Sequence, residues 1–268
     1  MKIKYSNNKA SINKWHAFHL FFLLILCFPI TIFAQDTSAT SSNKKHTLLF
    51  SLSNNGQIKN ELANFYPAFN ISPELSSVES NILTYNLFYT YQLNLNYVMG
   101  VKLAYTKRAE TTNIAETIVQ NDENKINQTI FGTSLFIKRN INLHPNLVLS
   151  SGIEIPFFLV GNFTSTSMND NNFFSMQETM KKSGGIVVGL NNTTSLTYLI
   201  SKTISFNLSA SFGLLYYNLG NELEINSIRY NKTTNEEVQQ LILEDNKNTL
   251  KKTELSNAEI FFGIGIHF

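Results

Sequence analysis

From residue 46 to residue 268, apolar side chains recur at every second position in eight separate runs. A period of two is the period of a strand with one apolar and one polar face. The runs are His46–Ser53, Ile82–Leu93, Asn96–Tyr105, Asn127–Lys138, Leu147–Leu159, Gly185–Ile200, Thr203–Tyr217 and Ala258–Phe268. In the second, Leu83, Tyr85, Leu87, Tyr89, Tyr91 and Leu93 share a face opposite Thr84, Asn86, Thr90 and Gln92. In the seventh, Ile204, Phe206, Leu208, Phe212, Leu214 and Tyr216 oppose Ser205, Asn207, Ser209, Ser211 and Gly213. The apolar face is large, branched or aromatic, and the other is mainly Ser, Thr, Asn and Gly.

The connections alternate as strictly as the residues. Runs two and three, four and five, and six and seven are joined by a few residues. The other four connections each reach roughly 20 residues or more, against the usual hairpin loop of 2–5. Short turns at one end and long loops at the other are the habit of a barrel that crosses a membrane. Small polar side chains can fill a narrow eight-stranded lumen, but they cannot drive folding in water as a core. The apolar face therefore points outward to lipid, where closure satisfies every backbone N–H and C=O. We expect an all-β, eight-stranded, antiparallel, up-and-down transmembrane barrel with four long extracellular loops over 45–268. Ten strands fit if the fourth loop holds a hairpin. Tyr85, Tyr89, Tyr91, Tyr97, Tyr105, Phe157, Tyr198, Tyr216 and Phe268 fall on the apolar face, where interfacial aromatic girdles belong.

Composition agrees. Charged residues are 15% of the chain, mean hydropathy is −0.08 and the formal charge is +2. That charge forms no stripe, which argues against a nucleic-acid partner. Lys2, Lys4, Lys9 and Lys14 precede the apolar stretch Leu20–Phe28, and Pro29 and "TIFAQ" follow. This is the pattern of a secretory signal peptide over 1–34, cut between Ala34 and Gln35. The stretch is too short for a spanning helix. A lipoprotein signal at Cys27 would have Leu26 where such signals want a small residue. Residues 35–44 read as a flexible lead-in. The single Cys excludes an intrachain disulfide.

These features together, closed by the alternating "AEIFFGIGIHF" at Ala258–Phe268, resemble the small outer-membrane β-barrel proteins of Gram-negative bacteria, the porin-like class. The resemblance covers the chain from residue 35 on and is architectural. It implies the cell outer membrane as location, outer-membrane lipid as surroundings, and the outer-membrane insertion machinery as partner during assembly. It implies further that Ile260, Phe262, Ile264, Ile266 and Phe268 form the C-terminal signal that this machinery reads.

Chemistry-bearing residues are sparse. Lys102, Lys138, Glu154 and Glu259 fall on the inward face, with Arg139 at a turn. A charge in a narrow lumen is costly unless paired, so the two glutamates are expected to pair with the two lysines and plug the barrel. Beyond the signal stretch only His46, His144 and His267 remain, far apart in sequence. There is no G-x-S-x-G and no clustered metal-ligand spacing, so we expect no enzyme activity, no metal and no cofactor. Function is expected in the loops, where Phe65, Tyr66, Phe69, Phe173 and Phe174 are candidates for binding an external ligand or partner. In the fourth loop Val238, Leu241, Ile242 and Leu250, after Asn235 as N-cap, predict a short helix. The favoured role is a structural or interaction protein. A porin-like channel for small solutes or ions is the rival, and a soluble lipocalin-like carrier, with its faces reversed, is a third.

Overall fold

The computed structural model describes residues 45–54, 56–66, 76–81, 83–117, 120–170, 172–220, 222–245 and 249–268. The signal stretch, Ala34 and Gln35, the lead-in to residue 44 and Phe69 lie outside the described residues.

Fourteen strands join into one sheet among the described residues. Eight of them close a ring: β1 (His46–Ser53), β3 (Thr84–Asn94), β4 (Tyr97–Thr117), β5 (Gln120–His144), β6 (Leu147–Val160), β9 (Gly185–Leu199), β10 (Ile204–Leu219) and β14 (Glu259–His267). Each pairs antiparallel with the next, and β14 returns to β1 through Thr47↔His267 to Ser53↔Phe261. The seam is pinned by His46 and Phe268, whose backbones exchange hydrogen bonds of 3.1 and 3.0 Å. Local chemistry makes the short turns. The Asn94 side-chain oxygen accepts from the backbone N–H of Asn96 and Tyr97, both at 2.9 Å, an Asx turn. Ser201 does the same for Thr203 and Ile204.

The face assignment read from the sequence holds. On β4, Tyr97, Met99, Val101, Leu103 and Tyr105 are exposed, while Lys102, Ala104, Thr106 and Arg108 at the other parity are buried. Leu135, Ile155 and Phe262 are 63, 58 and 66% exposed on the outer wall. A contiguous apolar wall of this kind is not found on proteins bathed in water, whereas lipid removes the penalty. The soluble-carrier expectation fails here, since it needs the apolar face inside and the polar face outside.

Six strands lie off the ring: β2 (Ser76–Asn81), β7 (Phe163–Asp170), β8 (Phe174–Lys182), β11 (Glu222–Asn231), β12 (Glu236–Asp245) and β13 (Leu250–Leu255). Among the described residues the second, third and fourth long loops are thus largely sheet. β4 and β5 run 21 and 25 residues, past the roughly 9–11 that a tilted strand needs to cross lipid. Beyond the barrel rim an open sheet continues in the order β12-β11-β8-β7-β5-β4-β2. β6 passes into β7, β8 into β9 and β10 into β11 with only a brief break, and the breaks stand side by side. Gly220 N–H donates to Gly184 O at 2.8 Å, and Gly184 N–H to the Asn162 side chain at 3.1 Å. A Cβ on Gly184 would sit 1.9 Å from Val160 O, and Gly220 has φ 73°. Glycine fits both points, the first for lack of room and the second for its left-handed backbone.

Two local expectations are corrected. Glu236–Asp245 is strand β12, not a helix. Asn235 is no N-cap; it takes φ 58° in the hairpin turn, where the Asn231 side chain accepts from the N–H of Thr233 and Thr234. Val238 and Ile242 fit strand period as well as helix period, and β11 supplies the backbone partners that a short exposed helix would lack. The fourth loop does contain a hairpin, β11–β12, but outside the eight-stranded ring. The helix lies in the first loop instead, as α1 (Gly56–Phe65).

Candidate functional site

The lumen is closed at two levels. Toward the turn end its lining is Ser, Thr, Asn and a few charges, knitted together. Lys102 of β4 forms an ion pair with Glu154 of β6, and both are buried. Ser211 donates to Glu154 at 3.4 Å, and Lys138 donates to Ser195 at 3.4 Å. Glu259 does not take a lysine partner: Ser53 donates to it at 2.6 Å, and Asn86 donates to Ser53 at 3.1 Å. The four inward charges therefore divide into an ion pair and two hydrogen-bonded groups.

Three inward aromatic rings at this level carry no mark in the alternation: Phe88, Phe136 and Phe261. Phe88 meets Phe136 and Phe261 edge-on at 6.1 and 5.9 Å. The Lys102 ammonium lies 4.9 Å from the Phe261 ring centre, and that of Lys138 lies 5.1 Å from Phe136. A cation over a desolvated ring is stabilised by its quadrupole. Rings, lysines and Glu154 together fill the middle of the barrel.

Toward the loop end the inward positions of β5, β6, β9 and β10 turn largely apolar, while Thr106 and Arg108 of β4 and Gln128 of β5 stay polar and buried. Ile126 and Ile130 of β5, Phe158 and Val160 of β6, Val187 of β9 and Leu215, Tyr217 and Leu219 of β10 are all buried. They pack in one cluster with Phe163 and with Ile58, Leu62 and Tyr66 of the first loop. Those three are spaced by four, so they share one face of α1 and the turn after it. Each is at most 2% exposed. A ten-residue helix is marginal in isolation, so α1 owes its form to this docking. Each fully buried side chain contributes about 1.5–3 kcal/mol.

Polar contacts fix the helix end. Lys182 donates to Phe65 O at 3.0 Å, with its ammonium 3.5 Å from the Phe65 ring centre. Arg108 donates to Tyr66 O at 3.4 Å. Both cations stand at the negative end of the helix dipole. Tyr66 stacks on Phe163 at 5.2 Å and its hydroxyl donates to Ser183 O at 2.8 Å; burial holds that hydroxyl above the ordinary tyrosine range. Glu61 pairs with Lys252 of β13.

Of the loop residues expected to bind, Tyr66 is fully buried and Phe65 is half-buried beneath Lys182, so both belong to the cap. Phe174 lies against Arg229, 4.7 Å from ring centre to guanidinium carbon. Phe173 is 72% exposed. Ile260, Phe262, Ile264, Ile266 and Phe268 are all exposed on the outer wall of β14 and the residue after it. His267 is held between Thr47 and Ser205 at 2.9 and 2.8 Å. His46 stacks on Phe268, and His144 ends β5, its ring accepting from the Asn146 N–H at 3.4 Å.

The ring closes, its outer wall is apolar and its lower lumen is polar. This is a transmembrane β-barrel. No family model matches the sequence, and no curated protein matches it. Solved structures do match. One is OprG, an outer membrane protein from Pseudomonas aeruginosa, at 10% identity and TM-score 0.36, covering 84% of this chain and 96% of that one. Another is a major outer membrane protein from Thermus thermophilus, at 8% identity and TM-score 0.37, covering 84% and 100%. A third is Ail, the attachment invasion locus protein of Yersinia pestis, at 11% identity and TM-score 0.36, covering 84% and 99%. The barrel assignment stands on this chain's own closed ladder and the chemistry of its two faces.

Proposed function

We propose that this chain is an integral outer-membrane protein whose barrel is a sealed pedestal. Its working surface is the sheet at the loop end, held outside the cell to bind a partner. The observation that carries this reading is the double closure of the lumen, by Lys102, Glu154 and three rings in the middle and by α1 above them. A pore has no use for either layer, whereas a pedestal gains rigidity from both. The extension of β4, β5 and the strands beside them past the rim supports the second half of the reading. Proteoliposomes carrying the full chain should not swell in isosmotic arabinose. Swelling above that of protein-free vesicles would overturn the reading in favour of a channel.

In the same reading, the outward row Ile260, Phe262, Ile264, Ile266 and Phe268 serves assembly by the insertion machinery. The exposure of all five on the lipid face supports this. Replacing Phe268 with Asp should lower the amount assembled in the outer membrane without lowering export, as read by fractionation. Equal assembly of the variant would sink the idea.

A further inference from the structure

One edge of the loop-end sheet is β12, and among the described residues it pairs only with β11. Every residue from Glu236 to Leu243 is exposed. Val238 and Ile242 stand on one face, Leu241 and Leu243 on the other. Leu243 and Val238 are 66 and 64% exposed. A free edge offers a row of unpaired backbone donors and acceptors, which proteins usually blunt with Pro, Lys or a bulge. The sequence EEVQQLILED contains no Pro, Lys or Arg. Its charges are all acidic and sit at its two ends: Glu236 and Glu237, then Glu244 and Asp245. Basic side chains on neighbouring strands are engaged elsewhere, Lys181 with Glu224, Lys182 with Phe65 O, and Arg229 against Phe174.

We propose that β12 is a docking edge for an extended segment of a partner protein, apolar in its middle and basic at both ends, which joins the sheet as a further strand. This deepens the reading of the loop-end sheet as the working surface and rests on it. Main-chain hydrogen bonds would supply affinity in strand addition, and flanking side chains would supply selectivity. The acids name the partner. A second copy pairing antiparallel about the strand centre would set Glu236 against Asp245 and Glu237 against Glu244, and like charges directly opposite are destabilising. An anionic lipid surface is disfavoured for the same reason. Lysines or arginines at the ends of the incoming strand turn each clash into an attraction.

The test uses the full chain in nanodiscs and fluorescence anisotropy with two labelled synthetic peptides. Each has alternating valine and threonine, one between lysine pairs and the other between glutamate pairs. The lysine-flanked peptide should bind at least about tenfold more tightly. The combined substitution Glu236→Lys, Glu237→Lys, Glu244→Lys and Asp245→Lys should reverse the preference, with circular dichroism checking that the sheet persists. Binding that ignores the flanks, absence of binding by either peptide, or a preference unmoved by the substitutions would overturn the inference. So would self-association of the chain that competes with the peptide. A barrel that passes no solute yet binds neither peptide sinks this inference alone; solute flux sinks the reading beneath it.

Discussion

Strands β5, β6, β9 and β10 run through both the turn-end half of the lumen and the loop-end half, and the two halves are closed by different chemistry. Below, inward positions such as Ser205, Ser209, Asn191 and Glu154 are polar, and the closure is made of hydrogen bonds, an ion pair and rings that never leave the wall. Above, Leu215, Tyr217, Val187 and Phe158 make an apolar socket, and the closure is a separate helix pressed into it. The lower closure depends on every partner being present, because a charge left alone in a dry interior is costly. The upper closure depends on area, and a docked segment can yield without the wall yielding. Two independent stabilities are therefore expected in one molecule.

The largest test of that independence acts below. Lys102→Met leaves Glu154 buried without its cation and should cost about 3–5 kcal/mol of barrel stability, read as a lower guanidinium midpoint in micelles. The double change with Glu154→Leu should recover most of it. Neither should alter hydrogen exchange in α1. Next comes Leu62→Ala, which removes a buried side chain from the socket. It should weaken docking of α1 by about 2–5 kcal/mol, seen as faster exchange over residues 56–66 with the barrel midpoint unmoved. If the midpoint falls as well, the two closures are one cooperative unit. Tyr66→Phe keeps the ring on Phe163 and loses the hydroxyl bond to Ser183, so a smaller loss of about 0.5–1.5 kcal/mol in docking is expected.

The smallest effect is electrostatic. Hydrogen bonds to Glu254 and Glu61 hold the Lys252 ammonium above its ordinary range. A raised pKa means that its contribution is fully present below the unfolded lysine value and fades as pH rises through the folded one. Protection of α1 should therefore weaken on the alkaline side. Lys252→Gln should remove that limb and change little at neutral pH, since solvent still screens this part-exposed pair and such pairs are worth about 0–1 kcal/mol. A limb that survives the substitution would assign it to another group.

The ring of eight strands was legible because alternation and connection length point the same way. Lys102, Lys138, Glu154 and Glu259 were legible as inward charges, and Lys102 and Glu154 do meet. The choice of Ser53 for Glu259 depends on register between β1 and β14, which no local pattern encodes. The upper socket left a signal that alternation alone passes over: Phe157–Val160, Ile186–Val188 and Leu214–Tyr217 are apolar at both parities, the mark of strands covered on both faces. The cap was hidden because Ile58, Leu62 and Tyr66 form an apolar row only once α1 is helical. The helix expected at Val238–Ile242 failed because its spacing also serves a strand, and only pairing with β11 decides between them.

Whether the barrel is sealed is read by planar-bilayer recording of the full chain. The unmodified chain should insert without steady conductance steps. Leu62→Glu, which expels α1 from its socket, should still give none, because the middle of the lumen remains filled. Steady open steps from the unmodified chain would contradict the account.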